Sequence, residues 1–166
     1  MSFEQHTHTL SVYVANRPGV LARIAQVFSR RGYNIESLVV SPANDGDFSR
    51  MTIGLSGASE GLEQIVRQVG KLVDVISCME HADDTAVVRE LALVKVRVEA
   101  ERRMEVLQIV EHFACKTVDL TDTSMIIMST GASEKVAAFI RMIRSFEVVE
   151  LVRTGKVLMA RGDQPT

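Results

Sequence analysis

The sequence predicts an α+β protein made of two ferredoxin-like β-α-β-β-α-β domains. Three observations carry that prediction. The apolar spacing switches between a period of two and a period of about 3.6 in the order strand, helix, strand, strand, helix, strand. The same order then starts again after a polar stretch, His81 to Thr85. The length of 166 residues suits two domains of this small kind.

The first strand is read from Leu10, Val12 and Val14, which alternate with Ser11 and Tyr13. Asn16-Arg17-Pro18-Gly19 breaks it. From there Val20, Leu21, Ile24, Val27 and Phe28 recur at helical spacing, and Gly32 ends the helix as a C′ residue. Ile35 to Val40 is the second strand. Pro42 to Asp47 is a turn rich in Pro, Asn, Asp and Gly. Met51, Ile53 and Leu55 mark the third strand. Ser59 precedes a helix with Leu62, Ile65, Val66 and Val69 on one face, closed by Gly70, and Val73 to Met79 is the fourth strand.

The second half repeats the order without repeating the residues. Val94, Val96 and Val98 mark a strand, and Val106, Leu107, Val110 and Phe113 a helix. Val118 and Leu120 mark a strand, and Met125 to Met128 its neighbour. Val136, Phe139, Ile140 and Ile143 form the last helical face, Val148 to Val152 the closing strand, and Val157 to Met159 a short extra one. The boundaries predicted are residues 1–80, a linker at 81–88, and residues 89–166. Right-handed crossovers place both helices of each half on one face of an antiparallel sheet. The other face must be polar or covered, which with 46% hydrophobic residues predicts an oligomer.

Composition excludes several functions. The apolar fraction and a net charge of −2 do not suit a disordered chain. Charge is balanced in both halves, which gives no case for nucleic acid or a membrane surface. RNA recognition on this topology needs aromatic side chains on the central strands, and Ser49 to Leu55 holds none. The polar N-terminus, with His6 and His8 read as frayed, lacks the apolar core of a signal peptide, and Cys78 and Cys115 form no C-x-x-C pair. A reduced, cytoplasmic chain is the expectation.

No catalytic constellation is legible. His6, His8, His81 and His112 pair with no nucleophile or carboxylate in a recognisable pattern, and Ser49 and Ser129 lack a nucleophile elbow. The acids are scattered singly. His6-x-His8 offers two metal ligands at most, so no metal site is expected. Two loops are more informative. Asn16 to Gly19 joins a strand to a helix N-terminus, where free amides and the helix dipole favour an anion, and the same residues also suit an ordinary helix cap. Asn34 opens an edge strand, where its amide serves either a turn or a ligand held between two subunits.

Leu10 to Val20, followed by Phe28-Ser29-Arg30-Arg31-Gly32-Tyr33-Asn34-Ile35-Glu36-Ser37-Leu38, resembles the start of the small, regulatory subunit of acetolactate synthase (acetohydroxyacid synthase). Ser49 to Ile53, Leu62 to Ile65 and Lys71 to Val75 continue the match in order. So do Arg89 to Val96, Arg153-Thr154-Gly155 and Arg161-Gly162-Asp163. The resemblance implies an N-terminal ACT domain that binds valine between two copies of the chain. It implies a homodimer or larger assembly that activates a catalytic large subunit and confers valine feedback in branched-chain amino acid synthesis. The chain itself is then no enzyme. It holds no cofactor, since thiamine diphosphate, magnesium and FAD belong to the catalytic subunit, a transferase. Carried over by residue, Asn16 and Gly19 meet the effector and Asn34 reaches it across the dimer. Val20, Leu21 and Ile35 are the nearby apolar wall. Arg17-Pro18 departs from the more acidic or polar residues common there. The alternative is a free-standing amino-acid-binding ACT protein without an enzyme partner.

Overall fold

The computed structural model describes residues 6–58, 60–82, 85–163 and 165–166. Its first six elements are β1 (His6–Ala15), α1 (Val20–Arg30), β2 (Asn34–Pro42), β3 (Phe48–Gly57), α2 (Leu62–Val69) and β4 (Val75–Glu80). They build a four-stranded sheet of order β2-β3-β1-β4 in which every pairing is antiparallel. The next six are β5 (Ala86–Arg97), α3 (Arg103–His112), β6 (Lys116–Leu120), β7 (Ser124–Gly131), α4 (Ser133–Ile143) and β8 (Glu147–Arg153). They repeat the order as β6-β7-β5-β8, again antiparallel. A last strand, β9 (Val157–Ala160), pairs with β5.

The first core forms because two periods meet. Leu10, Val12 and Val14 of β1 and Met51, Ile53 and Leu55 of β3 alternate onto one sheet face. Val20, Ile24 and Phe28 of α1 and Leu62, Ile65 and Val69 of α2 recur at helical spacing and pack on it. The second core repeats this with Ala92, Val94, Val96, Met125 and Ile127 beneath Val106, Val136, Phe139 and Ile143.

Helix α1 ends in a Schellman motif. Gly32 takes φ +75°, its N–H donates to Ser29 O (3.1 Å), and the Tyr33 N–H donates to Phe28 O (3.1 Å). That turn swings Tyr33 beneath β3. Its hydroxyl donates to Ala58 O, and its ring lies where a side chain on Gly57 would go.

Several expectations are corrected. The N-terminal strand begins at His6, because β1 pairs with β3 out to Gly57. His8 is not frayed: its Nδ1 lies 2.9 Å from a Glu80 carboxylate oxygen. His81 is half-buried, with Nε2 2.6 Å from the Ser11 hydroxyl, and burial pushes its pKa below the ordinary 6.5. The fourth strand starts at Val75. Val73, 98% exposed, belongs to the turn that follows α2. Ser59, set ahead of α2 by the sequence, lies outside the described residues, and Gly61 occupies the N-cap.

The chain forms two compact units, residues 1–87 with 155–166, and residues 88–154. The C-terminal tail therefore counts with the first unit. Within that unit Arg161 N–H donates to Thr85 O (3.3 Å), Arg50 donates to Thr166 O, and Gly155 lies against Ser37.

The helix-free sheet faces differ. In the first unit Thr9, Ser11 and Ser56 are buried polar residues. In the second, Leu93, Ile126 and Val152 flank a Lys95–Glu150 ion pair (3.2 Å).

Candidate functional site

The β1–α1 loop is fixed from two sides. Ala15 N–H donates to Asp74 O (2.8 Å) and Asn16 N–H donates to Asp47 O (2.8 Å). The Asn16 side-chain amide donates to Gly46 O (3.0 Å), so it ties the loop to the β2–β3 turn. It does not cap α1. The N-cap is Gly19, in the left-handed region at φ +84°, and no side chain caps the helix. The Val20 N–H donates to Arg17 O (3.4 Å), the first-turn amides have no side-chain cap, and the turn holds no acidic residue. An anion is what such an end receives best.

The apolar residues assigned to this loop divide. Val20 turns into the core, because it leads the buried stripe with Ile24 and Phe28. Leu21, one position on, is 39% exposed, so the sequence placed it on the wrong face of α1. It is the apolar surface that the loop itself presents.

Asn34 and Ile35 sit elsewhere. Asn34 is exposed at the start of edge strand β2, and its amide donates to the Glu36 carboxylate (2.6 Å). The Ser56 hydroxyl donates to the same oxygen (2.5 Å). The Ser56 bond, then the Asn34 bond, lowers the Glu36 pKa from its ordinary 4.5. β2 shifts register between Ile35 and Ser37, and Ile35 packs against the core.

One chain does not unite these residues. β3 pairs Phe48 with Ala15 and Ser56 with Asn34. Eight positions along a strand are roughly 26 Å at about 3.3 Å per residue. Asn16 and Gly19 lie at one end of the sheet, and Asn34 at the other.

Sequence reasoning missed two groups beside Gly19. Arg23 donates from Nη2 to Asp74 Oδ2 (2.5 Å). Its Nη1 is 3.2 Å from the place a Cβ on Gly19 would take. Arg23 lies one helical turn beyond Gly19, a spacing visible in the sequence. Asp74 is 51 positions away, so its part is visible only in the fold.

Among the described residues, no group of three or more His, Cys, Asp or Glu could hold a metal. No helix among them is long and apolar enough to cross a membrane.

This is the architecture of proteins built from tandem ferredoxin-like, ACT-type domains. Residues 10–77 match the family described as "AHAS small subunit-like ACT domain", and residues 89–162 match "Small subunit of acetolactate synthase". The chain is 44% identical over 162 residues to the acetolactate synthase small subunit of Mycolicibacterium smegmatis, covering 98% of this chain and 95% of that one. It is 44% identical over 157 residues to a probable acetolactate synthase small subunit of Archaeoglobus fulgidus, covering 95% and 98%. The solved structure of the acetolactate synthase small subunit from Thermotoga maritima superposes with a TM-score of 0.85 at 38% identity, over 96% of this chain and 99% of that one. The chain belongs to the acetolactate synthase small subunit family.

Proposed function

We propose that this chain is the regulatory, non-catalytic subunit of a cytoplasmic acetolactate synthase. It docks on a catalytic large subunit, raises that subunit's activity and makes it sensitive to valine. The reaction regulated joins two pyruvates, or pyruvate and 2-oxobutyrate, on the way to the branched-chain amino acids. Thiamine diphosphate, magnesium and FAD belong to the catalytic partner in this reading.

The observation that carries the proposal is family membership over nearly the whole chain. The site geometry supports it. A glycine-led helix end without a capping side chain suits a carboxylate. The exposed Leu21 beside it suits a branched apolar side chain. Asn34 lies too far along the sheet to share one small ligand with Asn16 in the same chain, as an effector bound between two copies requires.

Regulation then follows as a population shift. Valine held between two ACT domains favours one arrangement of the pair, and the catalytic subunit is less active with that arrangement. The ligand acts only through its unequal affinity for the two arrangements.

Reconstitution tests the reading. The catalytic subunit of the same source, purified alone, forms acetolactate slowly. Adding this chain raises the rate, and valine lowers it again. The isolated chain forms none. Amino-acid binding without capture of a catalytic subunit would instead mark a free-standing sensor.

A further inference from the structure

We propose that Arg23 is the residue that makes the effector's carboxylate obligatory, and that Asp74 is the residue that aims it. This rests on the effector reading given above. It names which chemical group of the effector is selected and by what.

Arg23 is half-exposed on α1, one turn past Gly19. Its Nη2 is committed to Asp74, whose side chain is largely buried and whose backbone carbonyl accepts the Ala15 N–H. The aspartate is therefore fixed to the strand that carries the loop. The Arg23 backbone N–H donates to Gly19 O (3.1 Å), and its side chain makes no other hydrogen bond among the described residues, so Nη1 keeps its donors. That nitrogen lies 3.2 Å from the Cβ position of Gly19, over the one residue of the loop that has no side chain. A guanidinium presents its donors in a rigid fork. With one arm on Asp74, the other is held beside the open face of Gly19 and the uncapped first turn.

A carboxylate seated there accepts from Nη1 and from the backbone amides together. A carboxamide in its place brings a neutral oxygen and an NH₂ that meets only donors. Charge-assisted bonds of this kind are roughly twice as strong as neutral ones. The loop thus selects free amino acids over their amides. Leu21 addresses the other end of the ligand.

The bland alternative is a strap, in which the ion pair only ties α1 to the turn before β4. The two accounts separate by ligand chemistry. Isothermal titration of the full chain with L-valine and with L-valinamide measures the discrimination directly. The wild-type chain binds valine at least about tenfold more tightly. Arg23→Ala brings the ratio close to one. Arg23→Lys, a point charge without the fork, leaves an intermediate ratio, and so does Asp74→Ala, which frees the fork from its anchor. A strap would weaken both ligands alike, lower the melting temperature and keep the ratio, which overturns the proposal. Wild-type chain that binds no valine overturns the effector reading and this inference with it. Valine binding with an unchanged ratio in Arg23→Ala overturns this inference alone.

Discussion

Gly19→Asp probes the proposed effector loop most directly. Gly19 sits at φ +84°, where a residue with a Cβ is strained, although Asp tolerates that region better than most. The new Cβ meets Arg23 Nη1 at 3.2 Å, which the end of a flexible side chain accommodates by a small shift. The folding penalty is about 1 kcal/mol, worth roughly 4–8 °C in a domain of this size. The effect on the effector is larger. A fixed carboxylate enters the place proposed for the ligand carboxylate, and captures the guanidinium. Two like charges about 4 Å apart repel by about 1 kcal/mol in water and about 4 kcal/mol at an effective dielectric near 20. Taking about 3 kcal/mol, the half-inhibiting valine concentration rises roughly a hundredfold. The assay is acetolactate formation by the reconstituted pair across a valine titration. Activation of the catalytic subunit stays within about twofold, because nothing in the substitution reaches beyond the loop. A folded variant with the wild-type inhibition curve would refute the site. Activation lost together with inhibition would show that the loop serves docking.

Three further outcomes follow from the packing. Gly57→Ala drives a methyl group into the Tyr33 ring, whose Cδ1 lies 2.5 Å from that position. It costs about 1–3 kcal/mol, read by urea unfolding of the full chain. Arg153→Ala removes the guanidinium that donates to the buried Glu90 (2.6 Å) and leaves Ser133 as that carboxylate's remaining side-chain donor among the described residues. The loss is about 3 kcal/mol, and adding Glu90→Gln recovers part of it. His81, whose pKa burial holds below 6.5, is neutral in the fold and takes up a proton more readily when unfolded. Its contribution is complete above pH 6.5 and is lost as the pH falls through that value toward the folded pKa. Melting curves between about pH 8 and pH 5 should slope less steeply for His81→Asn; equal slopes would rule out this assignment.

The architecture was legible because strand and helix periods differ and each half shows both. Gly32 is a good instance. The sequence marks it as a helix end, and the structure completes the motif with bonds from Gly32 and Tyr33 back to Ser29 and Phe28. What stayed hidden depends on partners distant in sequence. His8 carries no strand period, yet it is held by Glu80, 72 positions away. Val73 looked like strand because it is apolar, but the bond from Val75 N–H to Leu72 O closes a turn across it. Leu21 shares its spacing with the buried stripe, and only the rotation of α1 on its sheet separates it from Val20. At the candidate site, the turn from Asn16 to Gly19 was legible as the joint between a strand and a helix. The tie from Asn16 to Gly46 and the pair of Arg23 with Asp74 were not, since both are tertiary contacts.

The distance between Asn16 and Asn34 yields a test that needs no ligand-bound structure. If both amides serve one effector, they come from different chains. A two-fold pair then holds two equivalent sites, each made of one chain's loop and the other chain's Asn34. Asn16→Ala chains alone spoil both sites, and so do Asn34→Ala chains. A mixed pair behaves differently. One of its sites collects both substitutions, and the other collects neither. Random exchange makes about half of all pairs mixed, so about a quarter of the sites become intact. Co-refolded equal mixtures therefore regain valine inhibition that neither variant shows by itself. Amides acting within one chain could not regain it, because every loop would keep a defective site of its own. Failure of the mixture, with exchange verified by mass spectrometry, would sink the shared site while leaving the fold and the family untouched.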